Sequence, residues 1–546
     1  MRRMSKVLGA ALFFLALLLF LPLCGRQKTV APKLILVLSI DQMRFDYLTR
    51  FGDLFKGGFR RLLDQGAVFS QAMYRHANTE TGPGHSVILS GRHATHSGIV
   101  ANSWYDPFLK ASINVVDDPV QSPVGGQGRS ASPVNFIGFN LGDVLKRKSS
   151  GSRVVGVSLK DRSAILMAGR RADAAYWYEN LGGNFITSTY YMKTAPEWLT
   201  KWNSRHFADG YKGKQWTRLN ADEKLYEKYA GPDAVEGEWD RKDIVFPHAI
   251  RGRPPQPEFY DDLRRTPFAD EMTLGVALEA MKAHELGSDN LTDILAIGFS
   301  ATDNIGHTYG AYSQEMMDQM LRLDLTLQKL FQEVETRVGL DKTLVVLTAD
   351  HGSLPLVETL QAKGLQAKRA KPEVLVRAVN QALQASFPGI HGLIANYESP
   401  HFYLDGEVMR KKNLRREEIE ATIVKALMGT GLVEAVYTQY QLLNDAPAED
   451  RFFQLFRNSF YQPRSPHIIV RLKEYVYLDE RPGGTGHGSA YDYDRHIPII
   501  FMGTGIKPGA YAEPCGPEDI APTLAKLLGL DYPRESDSRL LLEMIQ

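Results

Sequence analysis

The sequence predicts an α/β fold: a mostly parallel central sheet with helices on both faces, in three layers, and two cap insertions. Three observations predict it. Five continuous apolar runs read as strands covered on both faces. Segments with apolar residues at helical spacing lie between them. Two long stretches, near 170–265 and 355–480, break the alternation without ending it.

The first strand is KLILVLSID, Lys33 to Asp41. Helical patterns follow over Phe51–Leu63 and Gly84–Leu89. SRVVGVSLK, Ser152 to Lys160, is the second strand, and DILAIGFSATD, Asp293 to Asp303, the third. From Gln314 to Val334, Met316, Met320, Leu323, Leu327, Leu330 and Val334 recur at helical spacing, a core-facing stripe. TLVVLTAD, Thr343 to Asp350, is the fourth strand and HIPIIFMG, His496 to Gly503, the fifth. Asp519–Gly529 is a closing helix ended by glycine. The insertion near 170–265 is rich in Trp, Tyr, Pro and Gly, and that near 355–480 has helical and strand patterns of its own. Both are expected as caps over one sheet edge. A GxSxG elbow, a P-loop and GxGxxG are absent, so those hydrolase and nucleotide-loop readings have no support.

The chain has 546 residues, with 44% apolar and 23% charged, an ordinary globular composition. Residues 31–546 are expected to form a single catalytic domain carrying the two insertions. A net charge of +1 gives no reason to expect a nucleic-acid partner. Two cysteines, Cys24 and Cys515, cannot make a disulfide framework, and no CxxC module is present. Residues 1–30 read as a targeting segment: Arg2, Arg3 and Lys6 precede an apolar run from Val7 to Leu23. A cleaved signal, lipidation at Cys24 and an uncleaved membrane anchor all put the body outside the cytoplasm, in a periplasm or secreted. A near-absence of cysteine fits an oxidising compartment.

Chemistry gathers at strand ends. Ligands in open α/β sheets collect outside the carboxyl ends of strands. Asp41 follows the first strand, Asp303 the third with His307 four residues later, and Asp350-His351 the fourth. His487 lies in the Gly-rich loop before the fifth. One such aspartate is usually a turn former or cap, and one loop histidine is usually unremarkable. Such pairs at successive strand ends are rarely chance. Mixed carboxylate and imidazole donors favour zinc, and six are too many for one tetrahedral ion, so two metals would share them.

Thr81, before Gly82-Pro83-Gly84 and an apolar helical run, puts a hydroxyl at a helix N-terminus, where an anion is favoured. Alone it could equally be a helix cap; beside two metals it is the better nucleophile. Lys160 and Arg162, two apart at a strand end, project to one side and suit phosphoryl oxygens, and Asn102 could add a neutral donor.

SIDQMRFDYL, TGPGH, GVSLKDRSAIL, FITSTYY, TADHG and YDRHIPIIFMG together resemble the alkaline phosphatase superfamily, in its monomeric, phosphate-irrepressible, PafA-like branch with a threonine nucleophile. The resemblance runs from about Lys33 to Leu528. It implies an alkaline-phosphatase-like sandwich, a monomer, and a zinc-dependent hydrolase of small phosphate monoesters working through a phosphothreonine. It implies two zinc ions per chain, one on Asp41, Thr81, Asp350 and His351 and one on Asp303, His307 and His487. Asn102, Lys160 and Arg162 would bind the phosphoryl oxygens. The related phosphodiesterase and nucleotide pyrophosphatase branch shares the metal ligands, the threonine and the asparagine but generally lacks the Lys-x-Arg pair, and stands as the alternative. A sulfatase would need Cys or Ser in C/S-x-P-x-R, which Thr81-Gly82-Pro83-Gly84-His85 does not supply.

Overall fold

The computed structural model describes residues 31–239, 242–444, 450–535 and 537–546. Ala31–Gln546 forms one compact unit. The targeting segment, with Cys24, lies outside the described residues. Among those residues no helix is long and apolar enough to cross a membrane.

Ten strands make the main sheet. In chain order they are β1 (Leu34–Ile40), β2 (Ala67–Phe69), β3 (Pro123–Val124), β4 (Val154–Ser158), β5 (Ala174–Glu179), β6 (Asn184–Ser188), β7 (Asp293–Phe299), β8 (Thr343–Thr348), β9 (Ile499–Gly503) and β10 (Gly509–Tyr511). Their order across the sheet is β10-β2-β9-β8-β1-β7-β4-β5-β6-β3. The central block β8-β1-β7-β4-β5 is parallel throughout. β1, LILVLSI, is buried along its whole length because both sheet faces are covered.

Helices fill the two outer layers. α1 (Thr81–Ser90), α2 (Asp161–Ala168) and α6 (Ile520–Leu527) belong to one packed group. α3 (Phe268–Ala283), α4 (Ala301–Tyr309) and α5 (Gln314–Arg337) belong to the other. The stripe expected on α5 is buried, Met316, Met320, Leu327, Leu330 and Val334 all being inaccessible.

Three details differ from the expectations. The fifth expected strand, β9, runs antiparallel to β8, and antiparallel pairs continue at both flanks, so the sheet is mixed. An apolar run reads the same in either direction, so direction is invisible in composition. The stretch near 170–265 does not begin as a cap: β5 and β6 are sheet strands, and the excursion starts after Ser188. Aromatic AAYWYE resembles cap composition but is fully buried strand. The helix expected at Phe51–Leu63 forms later, at Gly58–Gln65, because a turn occupies residues 51–57.

The second excursion builds its own four-stranded antiparallel sheet from Ile394–Glu398, His401–Leu404, Ile468–Leu472 and Val433–Thr438. Helices Glu373–Ser386 and Arg416–Met428 share with it a separate hydrophobic cluster centred on Leu375, Phe402, Ile419 and Ile468.

Candidate functional site

Strand register brings the site together. Ile40 pairs with Phe299, Ser39 with Thr348 and Gly298 with Ser158, so β8, β1, β7 and β4 end level. Their next residues stand side by side along one rim: Asp350-His351 beyond β8, Asp41 beyond β1, Asp303 on the first turn of α4, and Lys160 beyond β4. His307 follows Asp303 by one helical turn. His487 precedes its strand, yet reaches the same rim because β9 is antiparallel: Ile500 pairs with Leu347, at the carboxyl end of β8.

Donor atoms converge in two groups. Asp41, Asp350 and His351 offer atoms all within 4.8 Å of one another, and so do Asp303, His307 and His487. Within them, His351 Nε2 is 3.2 Å from Asp350 Oδ2, and His307 Nε2 is 3.3 Å from Asp303 Oδ1. Each histidine turns Nδ1 to a backbone carbonyl, of Thr485 for His307, Gly352 for His351 and Thr79 for His487, at 2.7–2.9 Å. A carbonyl only accepts, so Nδ1 carries the proton and Nε2 faces the carboxylates as a donor atom for a cation.

The residues fit a metal on two further grounds. Asp41 Oδ1, Asp350 Oδ2 and His351 Nε2 are buried without a hydrogen-bond partner. Native structures rarely leave such atoms unsatisfied. Charge also accumulates. Burial and then the neighbouring Asp350 push the Asp41 carboxyl up to about 6. Burial alone would depress His351, but Asp350 outweighs it and raises the imidazole to about 9. Carboxylates packed this closely call for positive charge.

Thr81 opens α1, buried, at the edge of this cluster. Its Oγ1 lies 3.3 Å from Lys160 Nζ and 3.4 Å from Arg162 Nη2. Lys160 also meets Asp41 and Asp303 at 2.7 and 2.6 Å; burial opposes its charge, but those two carboxylates raise its pKa and keep it cationic. Asn102 Oδ1 accepts from Gly82 N at 2.7 Å, which leaves its amide NH2 to donate beside Thr81. All ten residues singled out from the sequence therefore meet at one rim.

Three supporting residues were not singled out. Gln42 donates its backbone N–H to Asp350 Oδ1 at 3.0 Å and its side-chain amide to Asp303 Oδ1 at 2.9 Å. His85, one turn along α1, lies 3.1 Å from Asp350 Oδ2. Glu80 accepts from Asn102 N at 2.6 Å. Gln42 directly follows Asp41 and His85 closes TGPGH, so adjacency was the only signal.

A family model for type I phosphodiesterases / nucleotide pyrophosphatases matches residues 35–494. The alkaline phosphatase PafA of Elizabethkingia meningoseptica is 32% identical over 544 residues, covering 98% of each chain. The alkaline phosphatase PhoV of Synechococcus elongatus is 31% identical over 530 residues, covering 95% of this chain and 94% of its own. The crystal structure of wild-type PafA superposes with a TM-score of 0.88 at 31% identity, over 94% of this chain and 99% of that one. A PafA variant with a threonine replaced by serine, and an asparagine, a lysine and an arginine by alanine, superposes at 0.87 over the same shares, at 30% identity.

Proposed function

From the premise that the chain belongs to the type I phosphodiesterase / nucleotide pyrophosphatase family, with full-length alkaline phosphatase relatives, we propose that it is a phosphate monoesterase of the alkaline phosphatase type. One observation carries the reading: two cations, Lys160 and Arg162, converge on the hydroxyl oxygen of Thr81 at a helix N-terminus. The replaced threonine and asparagine of the PafA variant stand as far apart in sequence as Thr81 and Asn102, and its lysine and arginine as far apart as Lys160 and Arg162.

The Thr81 oxygen attacks phosphorus in line as the bond to the leaving oxygen breaks, and a phosphothreonine results. Water then cleaves it, releasing inorganic phosphate and restoring the hydroxyl. Lys160, Arg162 and the Asn102 amide hold the non-bridging oxygens and match the charge of a loose transition state. Two zinc ions, one on Asp41, Thr81, Asp350 and His351 and the other on Asp303, His307 and His487, would when bound favour ionisation of the threonine hydroxyl and stabilise the departing oxygen. The basic and apolar N-terminal segment directs the molecule to the periplasm or the exterior, where it works as a monomer on small soluble esters.

The cation pair favours monoesters over diesters. A monoester's transferred group carries two negative charges and three free oxygens, whereas a diester places an alkyl group against one of the cations. Replacing Lys160 and Arg162 by alanine lowers kcat/KM for p-nitrophenyl phosphate by roughly a hundredfold or more, since each charged hydrogen bond contributes about 1.5–3 kcal/mol. Bis(p-nitrophenyl) phosphate loses far less. Equal losses on the two esters would refute the assignment and favour the phosphodiesterase alternative. Elemental analysis of active protein should return two zinc ions per chain.

A further inference from the structure

A cavity of about 330 Å³ runs from the rim into the space beneath the second cap. That is the size of a small-ligand pocket. Asn102, Glu80 and His487 form its catalytic end, so it is continuous with the place where the phosphoryl group would sit. Its wall is aromatic and aliphatic: Tyr403, Leu472 and Val476 face it from cap strands, Phe456 from the helix Phe453–Asn458, and Tyr491 and Tyr493 from the segment after His487. Tyr491 and Tyr493 stack at 5.7 Å between ring centroids.

Several polar groups on this wall are engaged within the protein, and Arg471 and Lys473 add two cations to it. Asp494 accepts from Ser489 N and Oγ. Glu398 accepts from Asn396, and the Arg471 guanidinium lies 4.2 Å over the Phe452 ring. His401 accepts from Val470 N, and burial pushes its imidazole down to about 4, so it is neutral. At the catalytic end the Glu80 carboxylate is engaged by Asn102 N, at 2.6 Å. A planar uncharged ring would find ring faces and edges along this wall.

We propose that this cavity is the leaving-group subsite and that it selects phosphate monoesters of aromatic alcohols. The inference rests on the monoesterase reading. Bound there, the ring leaves water as its phosphate meets Asn102, so binding energy remote from phosphorus orients the ester for attack.

Leu472→Trp and, independently, Val476→Trp fill the cavity from the cap side without touching the rim. Each should lower kcat/KM for 2-naphthyl phosphate by about tenfold, the scale of one lost apolar contact surface. The kcat/KM for methyl phosphate and inhibition by inorganic phosphate should stay within about twofold, since neither reaches the cap. Equal losses on both esters, or an unchanged naphthyl rate in both variants, would overturn the subsite. Binding of 2-naphthol, followed by its own fluorescence, reads the cavity without turnover. It should weaken about tenfold in the variants, and unchanged binding would overturn the proposal. If the wild-type protein binds 2-naphthol in this way but cleaves neither ester, the monoesterase reading falls and the aromatic cavity stands.

Discussion

Gln42 shows how much a single residue can join. Its main chain holds Asp350 and its side chain holds Asp303, one carboxylate from each donor group. It does so at φ 65°, a left-handed conformation that costs a non-glycine residue about 1–3 kcal/mol. Strain kept at that position indicates that the side chain is needed there. Gln42→Gly separates the two effects, because glycine relieves the backbone and keeps the N–H to Asp350. The variant should fold at least as stably, yet bind zinc about 10–100-fold more weakly, the usual effect of losing a group that orients a ligand. Competitive titration of the metal-free protein with a chromogenic chelator measures this. Unchanged affinity with a raised Tm would show that Gln42 is only a turn residue. Asp41, Asp303 and Asp350 were legible in the sequence because each ends an apolar run. Gln42 was not, because its partners lie 261 and 308 residues away and nothing local marks a glutamine as their clamp.

Among the elements, α1 packs against the rim with little tolerance. Its second turn crosses the segment after β8 so closely that a Cβ on Gly84 would stand 2.1 Å from Asp350 O. That approach sets Thr81 against the rim, and Tyr74 reinforces it by donating its hydroxyl to Ala349 O at 2.8 Å. Gly84→Ala must push helix and rim apart. An overpacked contact of this kind costs about 1–3 kcal/mol, which lowers Tm by a few degrees in a chain of this size. Activity should suffer more than stability, because moving a nucleophile by about 1 Å can cost a hundredfold in rate. Differential scanning fluorimetry beside kcat/KM on one ester tests this, and a full-rate Gly84→Ala protein would show that α1 is not the positioning element. TGPGH announced a helix start, but the reason for its fourth residue, Gly84, appears only across the packed interface. The direction of β9 was hidden in the same way: HIPIIFMG shows burial and nothing of orientation, and it is the antiparallel run that brings His487 to the rim.

Across the whole molecule, the donor set draws on Asp41 near one end of the folded unit and His487 near the other, with α4 and the β8 edge between them. No local segment holds more than two donors, so the site exists only when the central sheet is closed. The unfolded chain offers no comparable cluster. A cation held at the rim therefore binds the native state almost exclusively, and its binding free energy adds to folding stability as RT ln(1 + [L]/Kd). The gain is about 4.1 kcal/mol when free ligand is a thousandfold above Kd. Electrostatics act in the same direction, because Asp41, Asp303 and Asp350 are buried together with Lys160 as their neighbouring lysine. Exhaustive chelation should thus lower Tm by several degrees and make it respond to zinc concentration on titration back, with the rise saturating at two ions per chain. The cap sheet has its own hydrophobic cluster and contributes no donor to either group, so its amide hydrogen exchange should change little on chelation while that of residues 41–43, 303–307 and 350–353 rises. Equal exchange across both regions, or a Tm indifferent to zinc, would mean that the rim is organised by packing alone.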